Sequence, residues 1–194
     1  MEESKFIENY FEHFHDVAFD HSIEPLLLEL SNLLKSANAK GNKVIFAGNG
    51  ASATIASHCA LDFTKQAGIR AISFNDPAIL TAYGNDYGYE QWVAKALEHY
   101  ADPGDITCLI SSSGTSMNLI NGANHAKKAG LQVITLSGFE QNNPLKQLGD
   151  LNLWADSKSY NTVETAHMLW LVALCDLIIG KREYSVTENL RNHG

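Results

Sequence analysis

Two short stretches hold the residues of this chain best suited to gripping an anion. LISSSGTSMNLI, Leu109 to Ile120, places Ser111, Ser112, Ser113, Gly114, Thr115 and Ser116 between an apolar run and a helix-patterned one. AGNGASATIASH, Ala47 to His58, repeats the theme with two glycines, Ser52 and Thr54. Glycine permits close backbone approach, and hydroxyls at a helix start join its unpaired N–H groups and the positive end of its dipole. A phosphate needs many donors at short range, and such a nest supplies them without a fixed cation. None is built in: the next Lys or Arg after the serine run is Lys127. Either junction alone also fits an ordinary loop with an N-cap. AGNGAS lacks the GK[ST] ending of a P-loop, and its GxGxxA spacing is a weak dinucleotide signal that Asp76, just after RAISFN, keeps open.

The elements that must position these junctions can be read from the hydrophobic pattern. Lys43 to Gly48, Arg70 to Asn75, Asp105 to Ser111, Leu131 to Ser137 and Asp150 to Ala155 are short apolar runs. Their continuous rather than alternating character predicts strands covered on both faces, as in a parallel sheet. Ser52 to Lys65, Tyr89 to His99 and Ser116 to Ala129 between them are helix-patterned. The order is βαβ repeated, which predicts a doubly wound three-layer αβα sandwich with a five-stranded parallel sheet. Residues 3 to 40, broken near Asp20 to Pro25, predict one or two amphipathic helices before the first strand, and Tyr160 to Lys181 a long apolar helix after the last. Apolar excess at both ends predicts helices that pack against another subunit.

Length and composition bound the rest. At 194 residues, with no composition break, the chain predicts a single domain over 1–194, made of a helical segment 1–40 and an α/β core with its final helix over 41–194. A net charge of −8 with no Lys/Arg cluster argues against a nucleic-acid partner. Cys59, Cys108 and Cys175 stand alone in apolar segments, which suits a reducing compartment. The N-terminus is acidic where a secretion signal would be basic. Met168 to Ile179 is a twelve-residue apolar run interrupted by Asp176, short of the ~20 residues that span a bilayer. The expectation is a cytoplasmic protein with no membrane partner.

Taken together, GNGASA (Gly48 to Ala53), HCALD with His58 and Asp62, GNDYGYE (Gly84 to Glu90), SSSGTS (Ser111 to Ser116) and VETAHMLWLVALCDLI (Val163 to Ile178) resemble the sugar isomerase (SIS) fold. Within it they are similar to the phosphoheptose isomerases that act on sedoheptulose 7-phosphate. The resemblance runs over nearly the whole chain in the family's order. It implies that Asn49, Gly50 and Ala51 line the sugar chain, that Ser52 helps hold it, and that Asn85 and Asp86 contact substrate hydroxyls. Ser111, Ser112, Ser113, Thr115 and Ser116 would form the phosphate nest, with Thr115 where the family usually has asparagine. A homotetramer whose sites borrow residues from neighbours is implied as well.

The family also carries a metal, usually zinc, on a histidine and glutamate four apart and on a glutamine and histidine of the last helix. Here those positions read His58, Asp62, Glu164 and Val172, and valine can neither ligate a metal nor move a proton. The metal expectation therefore rests on His58, Asp62 and Glu164. His58 and Asp62 share a helix face at i, i+4, and Glu164 and His167 another at i, i+3. If those helices meet, two histidines and two carboxylates converge, a set suited to zinc or another divalent first-row ion. Ketose to aldose interconversion needs a base that moves a proton between adjacent carbons and a group that manages charge on the carbonyl oxygen. Asp62 and Glu164 are the carboxylate candidates, with His167 as a further catalytic candidate. HCALD by itself also fits a helix surface pair, and His167 a hydrogen-bonded core residue.

Three functions follow. The leading one is an isomerase turning sedoheptulose 7-phosphate into D-glycero-manno-heptose 7-phosphate for a bacterial surface polysaccharide such as lipopolysaccharide. A non-catalytic SIS module, binding a phosphosugar or associating with a replication initiator, is favoured by Val172. A hexose phosphate isomerase or an etherase on the same fold is the third.

Overall fold

The computed structural model describes residues 2–183; the end of the expected domain, 184–194, lies outside the described residues. Two helices, α1 (Glu3–Ala18) and α2 (Ile23–Ala39), precede the alternating part. Then come β1 (Val44–Gly48), α3 (Ala51–Lys65), β2 (Ala71–Ser73), α4 (Pro77–Tyr87), α5 (Trp92–Tyr100), β3 (Ile106–Ser111), α6 (Met117–Lys128), β4 (Gln132–Ser137), α7 (Pro144–Leu148), β5 (Leu151–Trp154) and α8 (Tyr160–Ile179). All five predicted strands are present and pair in parallel in the order β2-β1-β3-β4-β5. The chain reverses its winding between β1 and β3, so the crevice outside the carboxyl ends of those two strands is the switch point where such sheets bind ligands.

Burial explains the unbroken hydrophobicity of the central strands, whereas the edge strands depart from the expected two-sided cover: β2 is only part-buried and β5 alternates between buried and part-buried residues. Every residue of β1 and β3 is buried, because side chains on one face meet α1, α2, α3 and α8 and those on the other meet α5, α6 and α7. Val44, Phe46, Cys108 and Ile110 point to the first layer; Ile45, Ala47 and Leu109 point to the second. Two helices escaped the pattern reading. In α4 no residue is fully buried, so its sequence shows no continuous apolar stripe, and only the Asp76-Pro77 start marks it, Asp76 accepting from the amides of Ala78 and Ile79. The other, α7, is five residues long and capped by Asn143.

Helix α8 extends well beyond the twelve-residue apolar run within it: at 20 residues it meets the length of a membrane span. Eight of those residues, including Val163, Trp170, Leu171 and Leu174, are buried against the rest of the chain, and the Trp170 indole N–H donates to the Ala18 carbonyl at 2.8 Å. Helix α1 buries only Val17 and Ala18 and leaves Phe6, Ile7 and Phe11 exposed. At the end of the sheet opposite the crevice, Lys43 Nζ lies 2.5 Å from the buried Asp105 carboxylate and 2.6 Å from Asp102. Burial pushes the Asp105 carboxyl upward, but hydrogen bonds from Lys43 Nζ and the amides of Asp102 and Lys43 outweigh it and hold it below the usual range.

Candidate active site

Two helix starts face the switch-point crevice, and both lack side-chain caps. Helix α3 begins at Gly50, with φ 56° and ψ −125°, a conformation open essentially to glycine alone; α6 begins at Ser116, whose side chain accepts from no helix amide. Asp76, Asn143 and Ser159 cap α4, α7 and α8, while α1, α2 and α5 also start without a side-chain cap but do not follow β1 or β3 at the switch point. Leaving the first-turn amides of α3 and α6 without side-chain partners keeps two sets of donors for a ligand.

Close packing fixes the backbone here. A Cβ on Gly48 would sit 2.5 Å from the Ser52 carbonyl oxygen, so the turn from β1 into α3 admits no side chain. The Asn75 amide clamps that turn, donating to the Gly48 carbonyl at 2.8 Å and accepting its N–H at 3.2 Å. In the second loop, Ser111 Oγ bonds Ser116 Oγ at 3.2 Å, and Ser113 and Thr115 hydroxyls meet at 2.9 Å. Ser111 and Ser112 are buried, Ser113 and Ser116 half-buried and Thr115 exposed, so the hydroxyls grade from the sheet outward to the mouth. Gly114 takes the left-handed conformation, φ 66°, and its N–H donates to the Ser111 carbonyl.

Glu164 reaches this loop. Its Oε1 accepts from Ser112 Oγ at 3.2 Å, tying the first turn of α8 to the end of β3. His58 and Asp62 meet on α3 as their spacing predicts, Nε2 to Oδ2 at 3.0 Å, with Gln66 Nε2 donating to the other Asp62 oxygen at 2.8 Å. His58 also lines an open pocket of about 490 Å³ between α3 and residues 75–80, with Ala53, Thr54, Ser57, Leu61, Asn75 and Leu80. Asn85 and Asp86 lie exposed on the last turn of α4, bonded to each other at 2.9 Å.

The expected convergence of His58, Asp62, Glu164 and His167 is not found within the chain. Asp62 lies where its charge acts on Cys59 and on Cys175 of α8; with burial as the larger cause, both thiols are pushed up to about 12. Glu164 stands eleven residues before Cys175, about 16 Å along the helix axis. Among the described residues no group of three or more His, Cys, Asp or Glu could hold a metal ion, so the donors present do not fit the expected zinc. Val172 faces a different environment, an open groove of about 710 Å³ with Phe19, Leu169 and Leu177.

His167 sits at the end of β4, fully buried, its Nε2 donating to the Ser137 carbonyl at 3.0 Å. Burial holds its pKa down at about 4, so the ring is neutral and packed against Trp170. That geometry is a hydrogen-bonded core histidine, the plainer of its two sequence readings. Pattern reading missed Asn118 and Tyr89. Asn118 and Asn49 exchange two side-chain hydrogen bonds, at 2.9 and 3.0 Å, and Tyr89 Oη donates to Asn49 Oδ1 at 2.8 Å. Their only sequence signal is position, Asn118 just past SSSGTS and Tyr89 inside GNDYGYE.

A five-stranded parallel α/β sandwich with two uncapped helix starts at its switch point defines the class as an open α/β protein whose ligand crevice lies there. The SIS domain family profile matches residues 10–138, and this chain belongs to that family. A phosphoheptose isomerase of Helicobacter pylori strain P12 is 32% identical over 81% of this chain and 84% of its own length. One from Aliarcobacter butzleri is 35% identical over 71% and 76%. In three dimensions the chain is similar to a phosphoheptose isomerase from Francisella tularensis, with TM-score 0.85 and 28% identity over 93% of this chain and all of that one. The enzyme from Neisseria gonorrhoeae gives 0.82 and 26% over the same shares.

Proposed function

We propose that this chain is an aldose-ketose isomerase that converts sedoheptulose 7-phosphate to D-glycero-manno-heptose 7-phosphate, feeding heptose into a bacterial surface polysaccharide. The observation that carries the reading is the pair of uncapped helix starts at the switch point, with the His58 and Asp62 pair two turns further along α3. Together with the phosphoheptose isomerase relatives it supports a phosphorylated polyol held at one end and a carbonyl presented to a base at the other. In this reading the amides at the start of α6 and the hydroxyls of Ser111 to Ser116 receive the phosphate. Backbone at Asn49, Gly50, Ala51 and Ser52 lines the carbon chain, and Asn85 and Asp86 meet its hydroxyls.

The chemistry takes the proton from C1 of the ketose, gives an enediol, and returns a proton to C2 while the hydroxyl proton passes from O1 to O2. His58, held by Asp62 as a base is held by an orienting carboxylate, is the group that borders the open pocket and moves the carbon-bound proton. Glu164, bonded to Ser112, acts at the nest and not at the carbonyl. His167 has no proton role. Exposed Phe6, Ile7 and Phe11 on α1 support assembly into a homotetramer, and three buried free cysteines support a cytoplasmic setting.

Incubating the purified protein with sedoheptulose 7-phosphate and following the aldose by NMR tests this. Asp62→Asn should lower kcat by roughly 10²- to 10⁴-fold, whereas Glu164→Gln should act mainly on KM. A wild-type protein that retains the sugar phosphate but makes no aldose would instead be a binding module.

A further inference from the structure

Asn49 has no acceptor capacity left for a sugar. Its Oδ1 takes one hydrogen bond from Asn118 Nδ2 and one from Tyr89 Oη, and one of its Nδ2 hydrogens goes back to Asn118 Oδ1. A side-chain amide oxygen offers two lone pairs, so both are used before any ligand arrives. Asn118 lies in the first turn of α6 and is 3% exposed; Asn49 immediately precedes the start of α3; Tyr89 is half out in solvent on the connector between α4 and α5. That connector is also fastened to α6, where Asn121 Nδ2 donates to the Glu90 carbonyl at 2.9 Å. One amide thus joins three separate segments, both helix starts and the strap that follows Asn85 and Asp86.

We propose that Asn118 and Tyr89 are positioning residues which, through Asn49, lock the two helix starts and the α4–α5 connector into one preformed sugar phosphate receptor. This rests on the isomerase reading for its substrate but on the unliganded geometry for its mechanism. The physical ground is preorganisation. Donors on two independent helices bind one extended ligand well only at a fixed separation, and a loop that must be ordered at the moment of binding weakens affinity. A reciprocal amide pair, with Asn118 buried and Asn49 half-buried, fixes the separation, and the tyrosine hydroxyl, outside the core, secures the strap without adding to the core's stability. Asn49 is then a keystone, and the ligand is met by the backbone around it.

The test uses Tyr89→Phe, Asn118→Ala and the double variant, all without change of charge. With sedoheptulose 7-phosphate, each single change should raise KM roughly 5- to 10-fold and leave kcat within about twofold. The double variant should be little worse than the worse single one, because both act through one amide. Tyr89→Phe should keep the wild-type melting temperature, which separates positioning from folding even if Asn118→Ala is poorly folded. In parallel, hydrogen exchange without ligand should be faster at residues 49–53 in Tyr89→Phe. Unchanged KM and unchanged exchange, or KM effects that multiply in the double variant, would overturn the proposal. Should the wild type turn over no heptulose phosphate, the isomerase reading fails alone, and exchange at residues 49–53 still decides the brace: faster supports it, unchanged refutes it.

Discussion

Replacing Gly114 by alanine should damage both the stability of the protein and its anion nest, and the size of the effect can be worked out from the surroundings. At φ 66° a Cβ costs about 1 kcal/mol in the backbone alone. The new methyl would lie 1.9 Å from Asn143 Oδ1 and 2.2 Å from its Cγ, so Asn143 must leave its place. That side chain is 2% exposed and highly committed. Its Nδ2 serves Ser137 Oγ and the carbonyls of Gly138 and Glu140, and its Oδ1 receives the Lys146 amide to cap α7. Dislodging it strands buried polar groups at about 2 kcal/mol or more. The sum is about 3 to 4 kcal/mol, or a melting temperature lower by roughly 10 °C for a chain of this size. Thermal denaturation monitored by circular dichroism, with and without inorganic phosphate, measures it. A Gly114→Ala protein that melts within about 2 °C of wild type would show that Asn143 is not held as described, and the account of the second loop would fall with it.

Gly84 is the opposite case. It lies inside α4 with nothing within 4 Å of a built Cβ, so Gly84→Ala should stabilise the protein by about 0.5 to 1 kcal/mol in denaturant titrations. Asp105→Asn should cost about 2 kcal/mol, because it removes the buried charge partner of Lys43 and leaves that ammonium only the exposed Asp102 carboxylate. Because the native Asp105 carboxyl is held below its unfolded value, its stabilisation is present above the ordinary carboxylate range and is lost as pH falls through the native pKa; the variant should lose that part of the acid limb. His167 is lowered from 6.5 to about 4, so below pH 6.5 the unfolded chain takes up a proton that the native one refuses. Stability should fall by about 3 kcal/mol between pH 6.5 and 4, and His167→Gln should flatten that slope while leaving kcat at neutral pH within a few-fold.

Much of the architecture is legible in the sequence itself. Strands β1, β3 and β4 are buried on both faces and so stood out as apolar runs, the part-buried edge strands β2 and β5 followed from their place in the alternation, and Gly48, Gly50 and Gly114 marked the tight backbone of the two loops. Helix α4 stayed hidden because a half-exposed helix has no stripe to detect, and α7 because five residues hold no period. Local spacing on one helix was equally legible: His58 and Asp62 meet as i, i+4 geometry requires.

What spacing could not decide was where α3 and α8 cross. That crossing puts Asp62 beside Cys175, leaves Glu164 at the serine loop, turns Val172 toward Phe19 and buries His167 under the end of β4. Nor could it foresee that Asn49, Asn118 and Tyr89, up to 69 residues apart, would share hydrogen bonds. Periodicity and turn chemistry act over a few residues and are written in order along the chain. The meeting of distant side chains depends on how whole layers pack, and that is settled only when the sheet and both helical faces close around it.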